Sequence, residues 1–396
     1  MITPRKDFPY FANKENAVFF DTAASAQKPR KMIERITHFY CYEYANIHRG
    51  MYNLSSNASH KFEFVRKKVA KFINASSKKE IIFTKNATEC FNLIASSFLS
   101  KILQSNDEII ISSLEHHSNF VPWQILCNKK NSKLIIIKFN NNGLLDPKEI
   151  KMLISKKTKF IAITHMSNVF GSLVDIKPII KIANKNNIPI LIDACQSIVH
   201  KKIDVKNIGC DFLVFSAHKL YGPSGVGILF IKKKFMNLFD PYQVGGAVIN
   251  NVSFEKTFFN TSPIVLEAGT PLIANIIGFG ATLDYLNEIQ WQNFTLNKKN
   301  LTNTIRESIS NMRSYKILST TNDSIISFIH FRAHHSDIGT LLNQQKIAVR
   351  TGHLCAQLLM NKLGINGAVR ISIGIYNNKH DVKKLINALY KINKIL

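Results

Sequence analysis

From about Glu80 onward, short apolar runs alternate with longer amphipathic stretches. Seven runs predict strands: Ile81–Thr84, Glu108–Ser112, Leu134–Phe139, Phe160–His165, Pro189–Asp193, Asp211–Ser216 and Gly225–Ile231. Inside them apolar residues follow one another without polar alternation, the pattern of strands buried on both faces. Helical periodicity lies between several of them, at Thr88–Leu99, Phe120–Cys127, Pro147–Ser155 and Ile176–Asn186. Alternating strand and helix predicts an α/β fold with a mainly parallel sheet sandwiched by helices. The pattern changes after Gly269-Thr270-Pro271. A long helix is expected from about Asn275 to Ile289. A smaller α/β region follows, with strands near Ser324–Arg332 and Ala368–Ile373 and an amphipathic terminal helix over His380–Ile395. The expected division is a large domain over 16–290 and a small domain built from 1–15 and 291–396.

A chain of 396 residues with 45% apolar content is long enough for a large core and too apolar for a disordered chain. No run of 18 apolar residues occurs, so no membrane span is expected. The first twenty residues carry Arg5, Lys6, Asp7, Lys14 and Glu15 and hold no apolar core of a secretory signal. The six cysteines are far apart and form no CxxC pair, which argues against a zinc ribbon or a dithiol redox motif. That usage predicts a reduced, cytoplasmic protein without a metal.

The net charge of +26 raises the question of nucleic acid. Yet only 10 of the 52 basic residues are Arg, the side chain whose planar fork reads bases and phosphates. The chain also holds 53 Ile and 39 Asn. Lys, Ile and Asn share A/T-rich codons, so the base composition of the gene accounts for the charge, and no nucleic-acid partner is expected.

In sheets of this kind ligands sit beyond the carboxyl ends of the strands. Polar, reactive residues follow four of the predicted strands: Glu115-His116-His117, Thr164 to Asn168, Asp193-Ala194-Cys195-Gln196 and Ser216-Ala217-His218-Lys219. A Lys that forms a Schiff base needs a desolvated site, and a nearby Asp can pair with a pyridinium nitrogen. Lys219 and Asp193 supply that combination, although a lone buried Asp is more often a helix cap and a lone Lys a snorkelling surface group.

The run Asp193-x-x-Gln196 followed by Ser216-Ala217-His218-Lys219-Leu220-Tyr221-Gly222-Pro223 resembles the cofactor signature of class V aminotransferase-like enzymes. Further stretches resemble the SufS-type, group II cysteine desulfurases: Asp21 to Pro29, Glu115 to Asn119, Glu267 to Pro271 and Arg350 to Ala356. The resemblance spans nearly the whole chain. It implies the aspartate-aminotransferase-like fold (pyridoxal phosphate fold type I) and pyridoxal 5'-phosphate as cofactor. It implies that Lys219 carries the cofactor as a Schiff base, Asp193 pairs with the ring nitrogen and Gln196 bonds the ring hydroxyl. By the same resemblance His116 is expected to stack on the ring and shuttle protons. Thr88, Ser216 and His218 are expected to hold the phosphate, with Thr270 reaching it from the neighbouring subunit of a homodimer. Asn168, Arg350 and Arg370 are expected to hold the amino-acid substrate, with Arg370 forking its carboxylate. Cys355 is the expected nucleophile, taking sulfur from L-cysteine as a persulfide and leaving L-alanine. A SufE-type acceptor protein and an iron-sulfur assembly scaffold follow from the same resemblance. The other five cysteines read as small buried hydrophobes.

Several positions depart from the family pattern: Tyr52, Ala87, Ala194-Cys195, Val244, Leu272, Leu354 and Leu358. None removes the Lys, the ring-facing Asp or the thiol. Other reactions suit the same scaffold, namely L-selenocysteine lysis, cysteine sulfinate desulfination and plain transamination. A reading from a different class is a basic binding protein on a decayed enzyme.

Overall fold

Alternate residues of one strand belong to different cores. Phe160 and Ala162 pack on one face of a central sheet, and Ile161 and Ile163 on the other. This two-sided burial is why the strand sequences are continuously apolar. The computed structural model describes residues 4–12, 17–140, 143–289, 291–318 and 324–396. The expected domain limits at residues 15, 16 and 290 lie outside the described residues.

In chain order the first strands are β1 (Val18–Phe19), β2 (Ile81–Thr84), β3 (Glu108–Ser112), β4 (Lys133–Ile137), β5 (Thr158–Thr164), β6 (Ile190–Asp193), β7 (Phe212–Ser216) and β8 (Gly227–Ile231). The central sheet has seven strands in the order β2-β8-β7-β6-β5-β3-β4. The β7-β6-β5-β3-β4 portion is parallel, and β8 runs antiparallel to both β7 and β2. The sheet is therefore mixed and mainly parallel, and its parallel strands all point their carboxyl ends to one edge.

A hairpin of β9 (Ile249–Val252) and β10 (Thr257–Phe259) stands apart from that sheet. Beyond it come β11 (Tyr315–Ile317), β12 (Ile325–His330), β13 (Ile347–Ala348), β14 (Arg350–Gly352) and β15 (Ala368–Ser372). Four of these form an antiparallel sheet in the order β11-β12-β15-β14. Leu301 and Ile305 of one helix and Leu385 and Leu389 of the terminal helix Lys379–Ile395 pack onto it. The terminal helix starts at a capping box in which Asn378 and Asp381 satisfy each other's backbone amides.

The N-terminal strand β1 pairs in parallel with β13, and Asp21 bridges to Ser372. The start of the chain is thus attached to its end. The long helix Ile273–Glu288 is apolar on nearly all sides because it packs against Arg30–His38 and Asn53–Phe72. Both partner helices precede the region where the strand-and-helix alternation begins.

Four of the five other cysteines are buried, as expected, but Cys41 is exposed on the π-helical turn Phe39–Glu43. The helix predicted over Thr88–Leu99 is α-helical at Ala87–Leu93 and widens to π-helical winding over Ile94–Leu99. Among the described residues no helix is long and apolar enough to cross a membrane. Nor do three or more His, Cys, Asp or Glu side chains among them gather as a metal site.

Candidate active site

The carboxyl edge of the parallel strands opens into a cavity of about 320 Å³. Asp193 ends β6, Ser216 ends β7, and His218 and Lys219 lie in the 3-10 turn that follows. Thr88 stands in the first turn of the helix after β2. His116 and Asn168 follow β3 and β5. Arg350, Cys355 and Arg370 come from β14, the segment behind it and β15. Together with Gln196, all these residues line the same cavity. Thr270 does not. It faces a separate depression of about 280 Å³, beside Thr84, Glu89 and Tyr242.

The floor is held by short contacts. The Asp193 carboxylate accepts the Cys195 amide at 2.9 Å. Burial raises the Asp193 pKa, and the charge of Lys219 opposes that shift. Gln196 donates its side-chain amide to the Ala23 carbonyl at 2.9 Å. The Ser216 hydroxyl accepts the Ala87 amide at 2.8 Å, and the hydroxyls of Thr88 and Ser118 are 2.8 Å apart. Gly227 makes the Asn86 turn possible, because a Cβ there would sit 2.4 Å from the Asn86 backbone carbon.

Two cavity histidines are neutral. His116 accepts the Ser118 amide on Nδ1 at 3.1 Å, which leaves its proton on Nε2. Burial, then the charge of Lys219, brings its pKa down to about 3. The same two causes bring His218 to about 4. Burial lowers Lys28 to about 8, and its amine donates to the His218 carbonyl at 3.0 Å. Beneath the His116 turn, burial pushes the Glu115 carboxyl up to about 8. Glu115 accepts from Ser112, from the Thr164 amide at 2.9 Å and from Asn119 at 2.5 Å.

On the opposite wall Arg370 is buried. It donates to the Asn168 carbonyl at 3.1 Å and pairs with Asp21 at 3.2 Å. Among the described residues its Nε has no partner, so donor capacity remains for a ligand. Burial, the larger effect, raises the Asp21 pKa against the pull of Arg370. Leu354 and Cys355 both have left-handed backbones, with φ of 55° and 54°. Such a conformation costs about 1–2 kcal/mol per non-glycine residue. Its neighbours hold it in place: Asn168 donates to the Leu354 carbonyl at 2.7 Å, and the His117 amide donates to the Cys355 carbonyl at 2.8 Å. Cys355 remains half-buried.

Sequence reasoning assigned no role to Asp21, Glu115 or His117, although each stands in a stretch that carried the resemblance. Asn168, expected on the substrate, lines the cavity, and its side-chain amide donates to the Leu354 carbonyl. The donor set suits pyridoxal phosphate. It offers a buried carboxylate, a Lys amine, hydroxyls for an anion and an aromatic ring in one cavity.

Known proteins are similar to this chain along nearly their whole length. The family model described as "Aminotransferase class-V" matches residues 18–385. A "Cysteine desulfurase" of Wigglesworthia glossinidia brevipalpis is 40% identical, over 99% of this chain and 97% of that protein. A "Probable cysteine desulfurase" of Vibrio cholerae is 38% identical, over 99% and 98%. The apo structure of a cysteine desulfurase from Thermococcus onnurineus superposes with a TM-score of 0.95 at 34% identity, covering 100% of this chain and 99% of that one. With a matched model over most of its length and relatives matched from end to end, this chain belongs to the aminotransferase class-V family.

Proposed function

We propose that the chain is a pyridoxal phosphate-dependent cysteine desulfurase, which moves the sulfur of L-cysteine onto Cys355 and releases L-alanine. The observation that carries this reading is the meeting of Lys219, Asp193 and Cys355 on one cavity. When bound, the cofactor supplies an electron sink that weakens bonds at the substrate's α-carbon. Lys219 would carry it, Asp193 would face its ring nitrogen, and Gln196 its hydroxyl. His116 would lie on the ring, and Thr88, Ser216 and His218 would hold the phosphate.

Arg370, Arg350 and Asn168 would hold the substrate, Arg370 and Arg350 at its carboxylate. The neutral His116 holds a proton on Nε2 and can give it up or receive one there. The Cys355 thiolate attacks the substrate sulfur, the sulfur–carbon bond breaks, and the carbon takes a proton to give alanine. The new sulfur–sulfur bond leaves Cys355 as a persulfide.

Thr270 would serve the phosphate of a second copy, which makes the protein a homodimer. Its separation from the cavity of its own chain supports that arrangement. The persulfide would pass to a SufE-type acceptor for iron-sulfur cluster assembly in the cytoplasm. Residues 16–290 would form the cofactor domain, and 1–15 with 291–396 the small domain.

The test is direct. Cys355→Ala should keep the cofactor's visible absorption and form no persulfide from cysteine. Lys219→Ala should lose both the attached cofactor and turnover. Normal desulfuration by Cys355→Ala would overturn the reading.

A further inference from the structure

His117 touches the nucleophile segment twice. Its amide donates to the Cys355 carbonyl at 2.8 Å, and its ring Nε2 accepts the Gln357 amide at 3.0 Å. The two contacts straddle Ala356 and close a clip around the residues that follow the thiol. On the other side of the thiol, Asn168 holds the Leu354 carbonyl at 2.7 Å. The clipped residues include two consecutive left-handed ones, neither of them glycine. A backbone in that region persists where the surroundings over-determine it.

His117 is also the residue next to His116, whose ring lines the cavity, and the two ring centroids are 6.3 Å apart. One turn of chain therefore sets both the ring-facing imidazole and the thiol-bearing loop. Only a neutral ring accepts on Nε2. Burial, and then the nearby His353, lowers the His117 pKa and favours that state.

We propose that His117 is a positioning residue for the reaction, clipping the Cys355 segment to the His116 turn so that thiol and bound substrate keep one spacing. The inference rests on the proposed desulfurase reading. A thiol displaced by about 1 Å from its attack position loses about a hundredfold in rate, so a partly loosened clip should cost about tenfold.

The experiment uses full-length holoenzyme with His117→Ala, which removes the ring acceptor, and His117→Gln, which carries an acceptor of similar reach. Three quantities are read: the cofactor absorption band and its dissociation constant, the single-turnover rate of persulfide formation on Cys355, and the rate of Cys355 alkylation by iodoacetamide without substrate. The expected result is an unchanged cofactor band and affinity in both variants. His117→Ala should form persulfide about tenfold more slowly and show an altered alkylation rate, and His117→Gln should recover most of the loss. Wild-type persulfide formation by His117→Ala would overturn the clip. Equal losses in both variants, or loss of the cofactor from His117→Ala, would overturn it too. If the wild-type enzyme forms no persulfide on Cys355, the desulfurase reading itself falls and the clip with it.

Discussion

Glu267 closes an edge of the central sheet, and removing its carboxylate should be costly. Among the described residues strand β2 pairs only with β8, so the Phe83 amide faces away from the sheet. Glu267 accepts that amide at 2.7 Å. The same carboxylate takes both terminal nitrogens of Arg66, at 2.6 and 2.8 Å. Arg66 is 3% exposed and Glu267 12%. Glu267→Ala would leave a buried cation and a buried amide without their acceptor. Breaking a buried pair costs about 3–5 kcal/mol. Arg66 keeps Glu63 at 3.1 Å and the Ile81 carbonyl at 2.8 Å, which argues for the low end. Unfolding entropy of about 2.1 cal/mol/K per residue then turns a loss of about 3 kcal/mol into a Tm lower by about 4 °C.

Calorimetry at one fixed, saturating cofactor concentration would measure it, since bound ligand itself raises Tm. The double variant Arg66→Met, Glu267→Leu removes the cation along with its partner and should be more stable than Glu267→Ala alone. A Tm for Glu267→Ala within about 1 °C of the parent would refute the reasoning. So would a double variant less stable than the single one.

Gly227→Ala should push the Asn86 turn away from β8, costing about 1–3 kcal/mol and weakening cofactor affinity. Unchanged Tm and dissociation constant would count against the close approach. Glu115→Gln should flatten the dependence of stability on pH. The folded pKa of Glu115, about 8, stands above its ordinary 4.5, so the folded protein binds the proton more tightly. That contribution is fully present below pH 4.5 and is lost as pH rises toward 8. Urea midpoints of parent and variant at pH 5 and pH 8 check it, and equal slopes would refute it.

The central sheet was legible because burial on both faces writes an unbroken apolar run, as in Ile109-Ile110-Ile111. The cavity was legible because its residues sit where strands end, and Asp193 and Ser216 are the last residues of theirs. The strand ends shifted slightly: β4 stops at Ile137, before the predicted Phe139. Other features left no local signal. Asp21 and Arg370 meet across 349 positions, and no periodicity announces such a pair. The left-handed backbone at Leu354 and Cys355 lacks the glycine that usually marks one. The helix Asn53–Phe72 did carry a signal, since Ala58, Phe62, Val65 and Val69 recur at helical spacing on its buried side. Its abundant Lys and Ser make that stripe easy to pass over.

The attachment of β1 to β13 has a temporal side. A ribosome delivers the chain from its N-terminus, and segments near the exit fold as they emerge. Lys219, Asp193 and His116 are all made before any of Arg350, Cys355 and Arg370 exists. Val18 and Phe19 meanwhile have no strand to join until Ile347 and Ala348 appear, and Asp21 waits for Arg370. Joining β1 to β13 and Asp21 to Arg370 closes loops of more than three hundred residues, and long closures slow folding. The nascent chain therefore holds the cavity lining carried by the central sheet before it holds Arg350, Cys355 and Arg370, which complete that lining.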